Sequence, residues 1–516
     1  MLVKPTAMSR RLHPLLIGVS RNGKNQNQHR QPILHAASSR LFQEEVSLNL
    51  SPLDTKEFIT IISSETVVII TDQYIIPISI SETTIGHNNI MAGTSVASFS
   101  GAGDKMDWKD LHHNSTIVDL HSHPSLKASV FHRDIGSTKT KFLPKLFKEK
   151  FWPFSGRVTF PKMEEGGVDV LLSTAYILEQ GWIDDISLIK WLFWLFPSVR
   201  KKIVDPSYFD ATNNMMDDME SQISSYNTNR DEAARHATLV TDREELAAAI
   251  AAGDMCVIHS IEGAHSLQGD EAGKVMSDEI MSHPEAIEVE VLNNLEYFFN
   301  RGVAYLGLAH FYPNCCVSPV FPYPEYGAKH LKWREILGRW DETEGLTPLG
   351  VKIVEKMLDM GMLIDISHCT LAARKQIYGL VALHGKSECL MATHTGAFEI
   401  NRVTYNLQDW EFEWLADHGC AVGIIFMNYW ISPVDSGLGL KYIEQTLNHI
   451  INLCGEDTAA IGTDFDGFTD PPDEIIDMSE LPRITSYLKG LGYQDRVIEK
   501  FLGKNALRVL TNGWKK

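Results

Sequence analysis

Seven residues stand out because each is an imidazole or carboxylate at or just after the end of a short apolar run. His121 and His123 follow IVDL, and Glu262 follows MCVIHSI. His310 closes VAYLGLAH, His368 closes MLIDISH, His394 closes CLMATH, and Asp464 lies in AAIGTDF. Imidazole nitrogen and carboxylate oxygen suit Zn²⁺ and similar divalent ions. Four histidines (His121, His123, His368, His394) and Glu262 are enough for two ions if the carboxylate bridges. A bridged pair lowers the pKa of a shared water and orients it for attack. Asp464 then reads as a proton shuttle, accepting from the water and donating to the leaving group. Each residue alone has a plainer reading: a loop HxH, a core or capping His368, a turn residue at Asp464, and a turn at Asp466-Gly467. The plain reading fails jointly, because five separate runs would each end in a ligand type by accident. His112, His113, His132, His259 and His265 lack that placement and read as loop or structural, with His265 in EGAHS close enough to support Glu262.

Residues so far apart in sequence meet only if the runs lie side by side. Eight apolar runs, IVDL (117–120), VDVLL (168–172), MCVIHSI (255–261), VAYLGLAH (303–310), MLIDISH (362–368), CLMATH (389–394), AVGIIFM (421–427) and AAIGTDF (459–465), alternate with amphipathic segments. Thr347 and Pro348 form an N-cap and first-turn pair for a helix carrying Val351, Val354 and Leu358. REELAAAIAAG (243–253) is helical by propensity and stops at Gly253. Eight β/α alternations predict an α/β fold of the (β/α)₈ TIM-barrel type rather than a doubly wound sheet, and such barrels gather active-site residues at the C-terminal ends of their strands. There is no internal repeat and no GxGxxG or P-loop signature.

The chain has 516 residues, 44% hydrophobic and 22% charged, which excludes a wholly disordered protein. Its net charge of −19 argues against a general nucleic-acid binder. Seven cysteines, an odd number without CxxC spacing, do not make a disulfide framework and favour a reduced compartment. Three regions are expected. Residues 1–43 hold seven Lys/Arg and no acid and read as a basic disordered leader, with organelle targeting the other reading. Residues 44–115 contain the Ile/Val/Thr-rich stretch FITIISSETVVIITDQYIIPISI (58–80) and a Gly/Ser-containing linker (93–103), a small β unit. Residues 116–516 form the barrel. No run reaches the length of a spanning helix, and a cytoplasmic location is expected. The aromatic run LIKWLFWLF (188–196) reads equally as a buried helix or as a surface for a membrane, a substrate or a partner.

With these residues in hand, the chain resembles the membrane (renal) dipeptidase family, the M19 metallopeptidases of the amidohydrolase superfamily. The resemblance runs from about Ile117 to Leu510 and rests on VDLHSHP (118–124), KMEEGGVDVLL (162–172), SIEGAHSL (260–267), RGVAYLGLAHFYPN (301–314), GLTPLGVKIVEKMLDMGMLIDISHCT (345–370), ATHTGAF (392–398), IGTDFDGF (461–468) and FLGKNALRVL (501–510). It implies a distorted TIM barrel with two Zn²⁺ per chain, one on His121 and His123, the other on His368 and His394, bridged by Glu262. It further implies Asp464 as the catalytic carboxylate, His310 as the group that polarises the tetrahedral intermediate, Arg402 as the anchor of the substrate's terminal carboxylate, and Asn314 near the substrate backbone. Two departures stand out. The family usually carries His-x-Asp where this chain has His121-x-His123, and the spacing from His394 to Arg402 is short. Segments 125–160, 178–235, 268–290 and 318–343 are long and fall where strand-to-helix loops shape a pocket.

The leading expectation is therefore a zinc-dependent hydrolase cleaving dipeptides or related small amides through a metal-bridging hydroxide. The alternatives are an amidohydrolase-type enzyme acting on a cyclic amide, lactone or peptide-derived natural product, and a catalytically silent binding barrel. The expected partner is a small-molecule substrate, with no nucleic acid and no transmembrane segment, and a homodimer stays open.

Overall fold

The structure, a computed structural model, describes residues 17–20, 58–62, 66–70, 75–79, 106–137, 156–185, 197–274, 284–320, 343–433, 439–467 and 469–516. The aromatic run 188–196, the linker 93–103 and most of the leader lie outside the described residues. The chain divides into two units, Met1–Gly101 and Ala102–Lys516.

The first unit holds a four-stranded antiparallel sheet in the order β1 (Ile17–Ser20), β2 (Phe58–Ile62), β3 (Thr66–Ile70), β4 (Ile75–Ser79). The three strands after residue 57 come from the Ile/Val/Thr-rich stretch expected to form them. β1 lies inside the basic leader, where sequence composition suggested an extension. Its Ile17–Ser20 segment pairs with β2 in the register Ile17↔Ile61 to Ser20↔Phe58.

The second unit is the barrel. Eight parallel strands close the ring: β5 (Ile117–Ser122), β6 (Val168–Ala175), β8 (Met255–Glu262), β9 (Tyr305–Gly307), β10 (Leu363–Asp365), β11 (Leu390–Thr395), β12 (Ala421–Ile424) and β13 (Ala459–Ile461). Each corresponds to one of the eight apolar runs, and the β6–β8 and β13–β5 pairings complete the circle. A further parallel strand, β7 (Ala237–Val240), lies along the first half of β8, while β9 takes the last residues of β8. The helix Trp108–Asn114 belongs to this unit: His112 bonds Thr485 Oγ1 at 2.7 Å and the Gly166 carbonyl at 3.0 Å. The barrel unit therefore begins before residue 116.

The helices end where their sequences dictate. Thr347 Oγ1 accepts the Gly350 N–H at 2.9 Å, capping Pro348–Met360, and Gly361 ends that helix at φ 74°. Asp242 caps Arg243–Ala252 by accepting from the N–H groups of Glu244 and Glu245. The larger apolar core lies between strands and helices. A smaller cluster includes Val118, Leu120, Val170, Leu172, Ile258, Tyr305 and Met391, with Trp514 of the C-terminal segment packed on it. Tyr305 on β9 reaches His121 on β5, which is not a neighbouring strand, so its side chain crosses the lumen. The barrel is thus filled, and its functional groups must sit at its mouth. Among the described residues no helix is long and apolar enough to cross a membrane.

Candidate active site

The C-terminal ends of six strands, and the first turns beyond them, bring the seven residues together. His121 lies one residue before the end of β5 with His123 just after it, Glu262 ends β8, His394 lies near the end of β11, and His310, His368 and Asp464 follow β9, β10 and β13 by three residues each. All are buried. The Nε2 atoms of four histidines converge on one carboxylate: His121, His368 and His394 stand 3.5, 3.2 and 3.4 Å from Glu262 Oε1, and His123 stands 3.4 Å from Oε2. His121 and His123 approach to 3.0 Å between Nε2 atoms, and His368 and His394 to 3.1 Å. Asp464 Oδ1 lies 3.2 Å from His123 Nε2 and 3.9 Å from His121 Nε2.

These spacings test whether the residues fit metal ions. Two ligand nitrogens on one tetrahedral Zn²⁺ at about 2.05 Å stand about 3.3 Å apart, close to the observed pairs. The hydrogen-bond pattern agrees. Thr393 Oγ1 gives its proton to Asp365 Oδ2 at 2.6 Å and accepts from His121 Nδ1 at 3.0 Å and His394 Nδ1 at 2.8 Å. Tyr305 OH adds a second partner to His121 Nδ1 at 2.8 Å. With Nδ1 protonated, both rings present bare Nε2 lone pairs to the centre, the tautomer that metal ligation needs. The donor set, two His pairs about one carboxylate, fits two divalent cations.

The backbone is held to the same end. Asp365 also accepts the Thr393 N–H at 2.8 Å. Asp119 on β5 repeats the device toward the end of β13, with β12 between the two sites, accepting the Thr463 N–H at 2.8 Å and hydroxyl at 2.7 Å. Thr393 and Thr463 immediately precede His394 and Asp464, so each Asp–Thr pair sets a strand end carrying a site residue. His368 (φ 63°) and Asp464 (φ 54°) occupy the left-handed region that non-glycine residues avoid. Such strain costs on the order of 1–3 kcal/mol per residue and persists where the surroundings over-determine it. Here Val320 N–H binds the His368 carbonyl at 2.8 Å, and Asp464 N–H binds the His121 carbonyl at 2.8 Å. Gly467 makes room: a Cβ there would overlap Asp464 Oδ1 and stand 2.6 Å from His123 Cδ2.

Burial and charge separate the titrations. Burial holds the His121 imidazole down to about 4 and that of His394 to about 3, against the pull of Glu262. For Glu262 burial alone would favour the neutral acid, but His310 and His121 overcome it and keep the carboxylate ionised. Asp464 is pushed well up by burial and by the charge of Glu262, so one carboxylate is ionised while the other can hold a proton. His310 is raised: burial opposes its charge, and Glu179 and Glu262 outweigh burial. Its Nδ1 lies 2.9 Å from Glu179 Oε1 and its Nε2 faces Glu262 Oε2 at 3.7 Å. The charged form of this ring would donate from Nδ1 to Glu179 and present its Nε2–H toward Glu262.

Two other expected residues bond to groups outside the cluster. Arg402 is 74% exposed in its side chain and pairs with Glu399 at 3.2 Å, with no contact to the cluster among the described residues. Asn314 was expected near the substrate backbone, but its amide is consumed by its own loop. Nδ2 donates to the Leu308 carbonyl at 3.0 Å, and Oδ1 accepts the N–H groups of Cys316 at 2.8 Å and Val317 at 3.1 Å. His265 binds the Ile177 carbonyl at 2.8 Å and packs against Tyr208, which fixes a loop rather than Glu262. Asp466 does more than close a turn: it accepts the N–H groups of Arg157 and Val158 at 3.0 Å, and Lys127 Nζ lies 3.6 Å away. Asp119, Glu179, Tyr305, Asp365, Thr393 and Thr463 were not anticipated. The one signal available was a Thr directly before two of the site residues.

Known proteins agree with this architecture. Residues 281–513 match the family model of membrane dipeptidase, peptidase family M19, a span holding His310, His368, His394 and Asp464. A Klebsiella pneumoniae protein from the pqqA 5′ region is 36% identical over 180 residues, 34% of this chain; the match spans 64% of that relative's length. Three solved structures share the fold. Dipeptidase AC, a metallopeptidase of family M19, superposes with a TM-score of 0.56 at 19% identity, covering 78% of this chain and 99% of its own. A Rhodobacter sphaeroides metallopeptidase, solved with a phosphinate mimic of the dipeptide L-Ala-D-Ala, gives 0.55 at 19% identity over the same shares, 78% and 99%. The probable dipeptidase PvdM from Pseudomonas aeruginosa gives 0.52 at 16% identity, covering 79% and 98%. The mouth of this barrel gathers paired histidines about a buried glutamate, and its residues 281–513 are similar to the membrane dipeptidase family of metallopeptidases, family M19.

Proposed function

We propose that this chain hydrolyses the amide bond of dipeptides or related small amides with two Zn²⁺, one on His121 and His123, the other on His368 and His394, bridged by Glu262. The convergence of four Nε2 atoms within 3.2–3.5 Å of the Glu262 carboxylate carries the reading. Two such ions, when bound, polarise the scissile carbonyl and lower the pKa of a water held between them. The remaining work falls to the protein. Asp464 accepts the proton released by the attacking water and returns it to the departing amine. Its buried setting, which favours the protonated acid, suits that task. His310 donates from Nε2 to the oxygen on which negative charge develops. Arg402 binds the substrate's terminal carboxylate; the ion pair it exchanges, with Glu399, is exposed and therefore weak.

The test is a hydrolysis screen with L,L- and L,D-dipeptides. The L,D series is included because the Rhodobacter sphaeroides neighbour was solved with a mimic of L-Ala-D-Ala. Asp464→Asn should keep its metal and lose turnover by on the order of 10²–10⁴-fold. Unchanged hydrolysis removes the role given to Asp464. A second reading, an amidohydrolase acting on a lactam or lactone, is favoured by His123, which places an imidazole where the family usually carries aspartate. Turnover of those substrates with none on any dipeptide would select it.

A further inference from the structure

Glu179 lies four residues beyond the end of β6 and is fully buried, yet among the described residues no Arg or Lys pairs with it. A buried carboxylate is costly even with a histidine as its ion-pair partner, and where only an acceptor is needed an amide serves at less expense. Its bonds show where that cost is spent. Glu179 Oε1 accepts from His310 Nδ1 at 2.9 Å and from the Phe311 N–H at 2.9 Å, while Oε2 accepts the Tyr176 hydroxyl at 2.5 Å. The Tyr176 ring lies against His310 with centroids 4.2 Å apart, and the Phe311 ring lies 3.8 Å from it. One carboxylate thus ties down His310, the backbone of the residue after it and the tyrosine that stacks on it. All these bonds serve the imidazole that faces Glu262, and none reaches the four histidines about the metal centre.

We infer that Glu179 is a positioning residue that, with Tyr176, fixes the ring plane of His310 so that Nε2 points at the reacting carbonyl. This rests on the role given to His310 above. Glu179 does not touch the substrate; it acts through the histidine. Loss of its hydrogen bond frees rotation about the His310 side chain and misplaces a donor whose value depends on its geometry.

A double-mutant cycle in the metal-loaded enzyme tests this. Glu179→Ala should lower kcat by about 10- to 100-fold while KM and metal content stay near wild type. In a His310→Ala background the same change should have almost no further effect, because the residue it positions is gone. Glu179→Gln, whose amide oxygen still accepts from Nδ1–H, should recover part of the loss. Equal losses from Glu179→Ala in both backgrounds would overturn the inference and leave Glu179 a scaffold residue. A second readout needs no substrate: the hydrogen-bonded Nδ1 proton of His310 should give a downfield NMR resonance that both Glu179→Ala and His310→Ala abolish. Its absence from the wild type would also overturn the inference. Its presence in an enzyme that cleaves no dipeptide would count against the proposed function instead, and the cycle would then be read on the lactam or lactone turned over.

Discussion

Thr393→Val isolates the hydroxyl that holds two of the proposed ligands at once. The change keeps the side-chain shape and removes one oxygen with one proton and two acceptor positions. The proton serves Asp365 Oδ2, and the acceptor positions serve His121 Nδ1 and His394 Nδ1. The two histidines are not equally exposed to the loss. His121 Nδ1 keeps the Tyr305 hydroxyl at 2.8 Å, while Thr393 is the one hydrogen-bond partner of His394 Nδ1 among the described residues. An orphaned buried donor costs about 1–3 kcal/mol, which is about 5- to 160-fold in an equilibrium constant. The ion shared by His368 and His394 should therefore bind that much more weakly, and the ion shared by His121 and His123 should change less. Titration calorimetry of the metal-free variant against zinc, with a competing chelator to bring both affinities into range, resolves the two steps. Thr393→Ser, which keeps the hydroxyl, should restore both. Two unchanged affinities in the valine variant, or two equal losses, would refute the assignment of Thr393 as the group that sets these tautomers.

Three further outcomes are expected. Above pH 6.5 neither folded nor unfolded His121 and His394 carry a proton; below it the unfolded imidazoles bind one each, while the folded ones resist until about 4 and 3. Their contribution to the stability of the metal-free protein thus falls as pH drops through that window, by up to about 1.4 kcal/mol per pH unit for each histidine. Urea titrations should show a shallower slope for His394→Gln, and identical slopes would contradict these shifts. Arg402→Ala should raise KM for dipeptides with a free terminal carboxylate and leave kcat and C-terminally amidated substrates nearly unchanged; equal effects on both substrate types would exclude the anchor. Arg374 and Glu411, bonded at 2.7 and 3.0 Å and buried, hold the helices after β10 and β11 together. Glu411→Ala should destabilise by about 3–5 kcal/mol because it strands the guanidinium, and a melting temperature near wild type would show that the pair does not bear on stability.

The barrel was legible because each of its eight strands is a short apolar run whose end is marked by a change to polar residues. β7 was not: four residues, Ala237–Val240, are too few to show a period. The cluster about Glu262 was legible because ligand chemistry restricts residue types to His, Asp and Glu at strand ends. Its supports were not, since Thr393 and His121 lie 272 positions apart and Asp119 and Thr463 lie 344 apart, and threonine and aspartate have many other uses. Glu179 escaped notice because it sits in the turn beyond a strand, with no pattern to single it out. Asn314 and Arg402 came from motif resemblance alone, which carries residue type without orientation. The Asn314 amide bonds within its own loop, and the Arg402 guanidinium is exposed beside Glu399.

The central claim is that the four histidines and Glu262 hold two ions that hydrolyse small amides. Metal analysis of zinc-replete purified protein, run beside a dipeptide hydrolysis assay on the same sample, tests it most directly. The account predicts two equivalents of zinc per chain, hydrolysis of at least one dipeptide, and loss of both when a chelator strips the metal. Less than about one equivalent of bound metal, or hydrolysis that survives complete stripping, would contradict it.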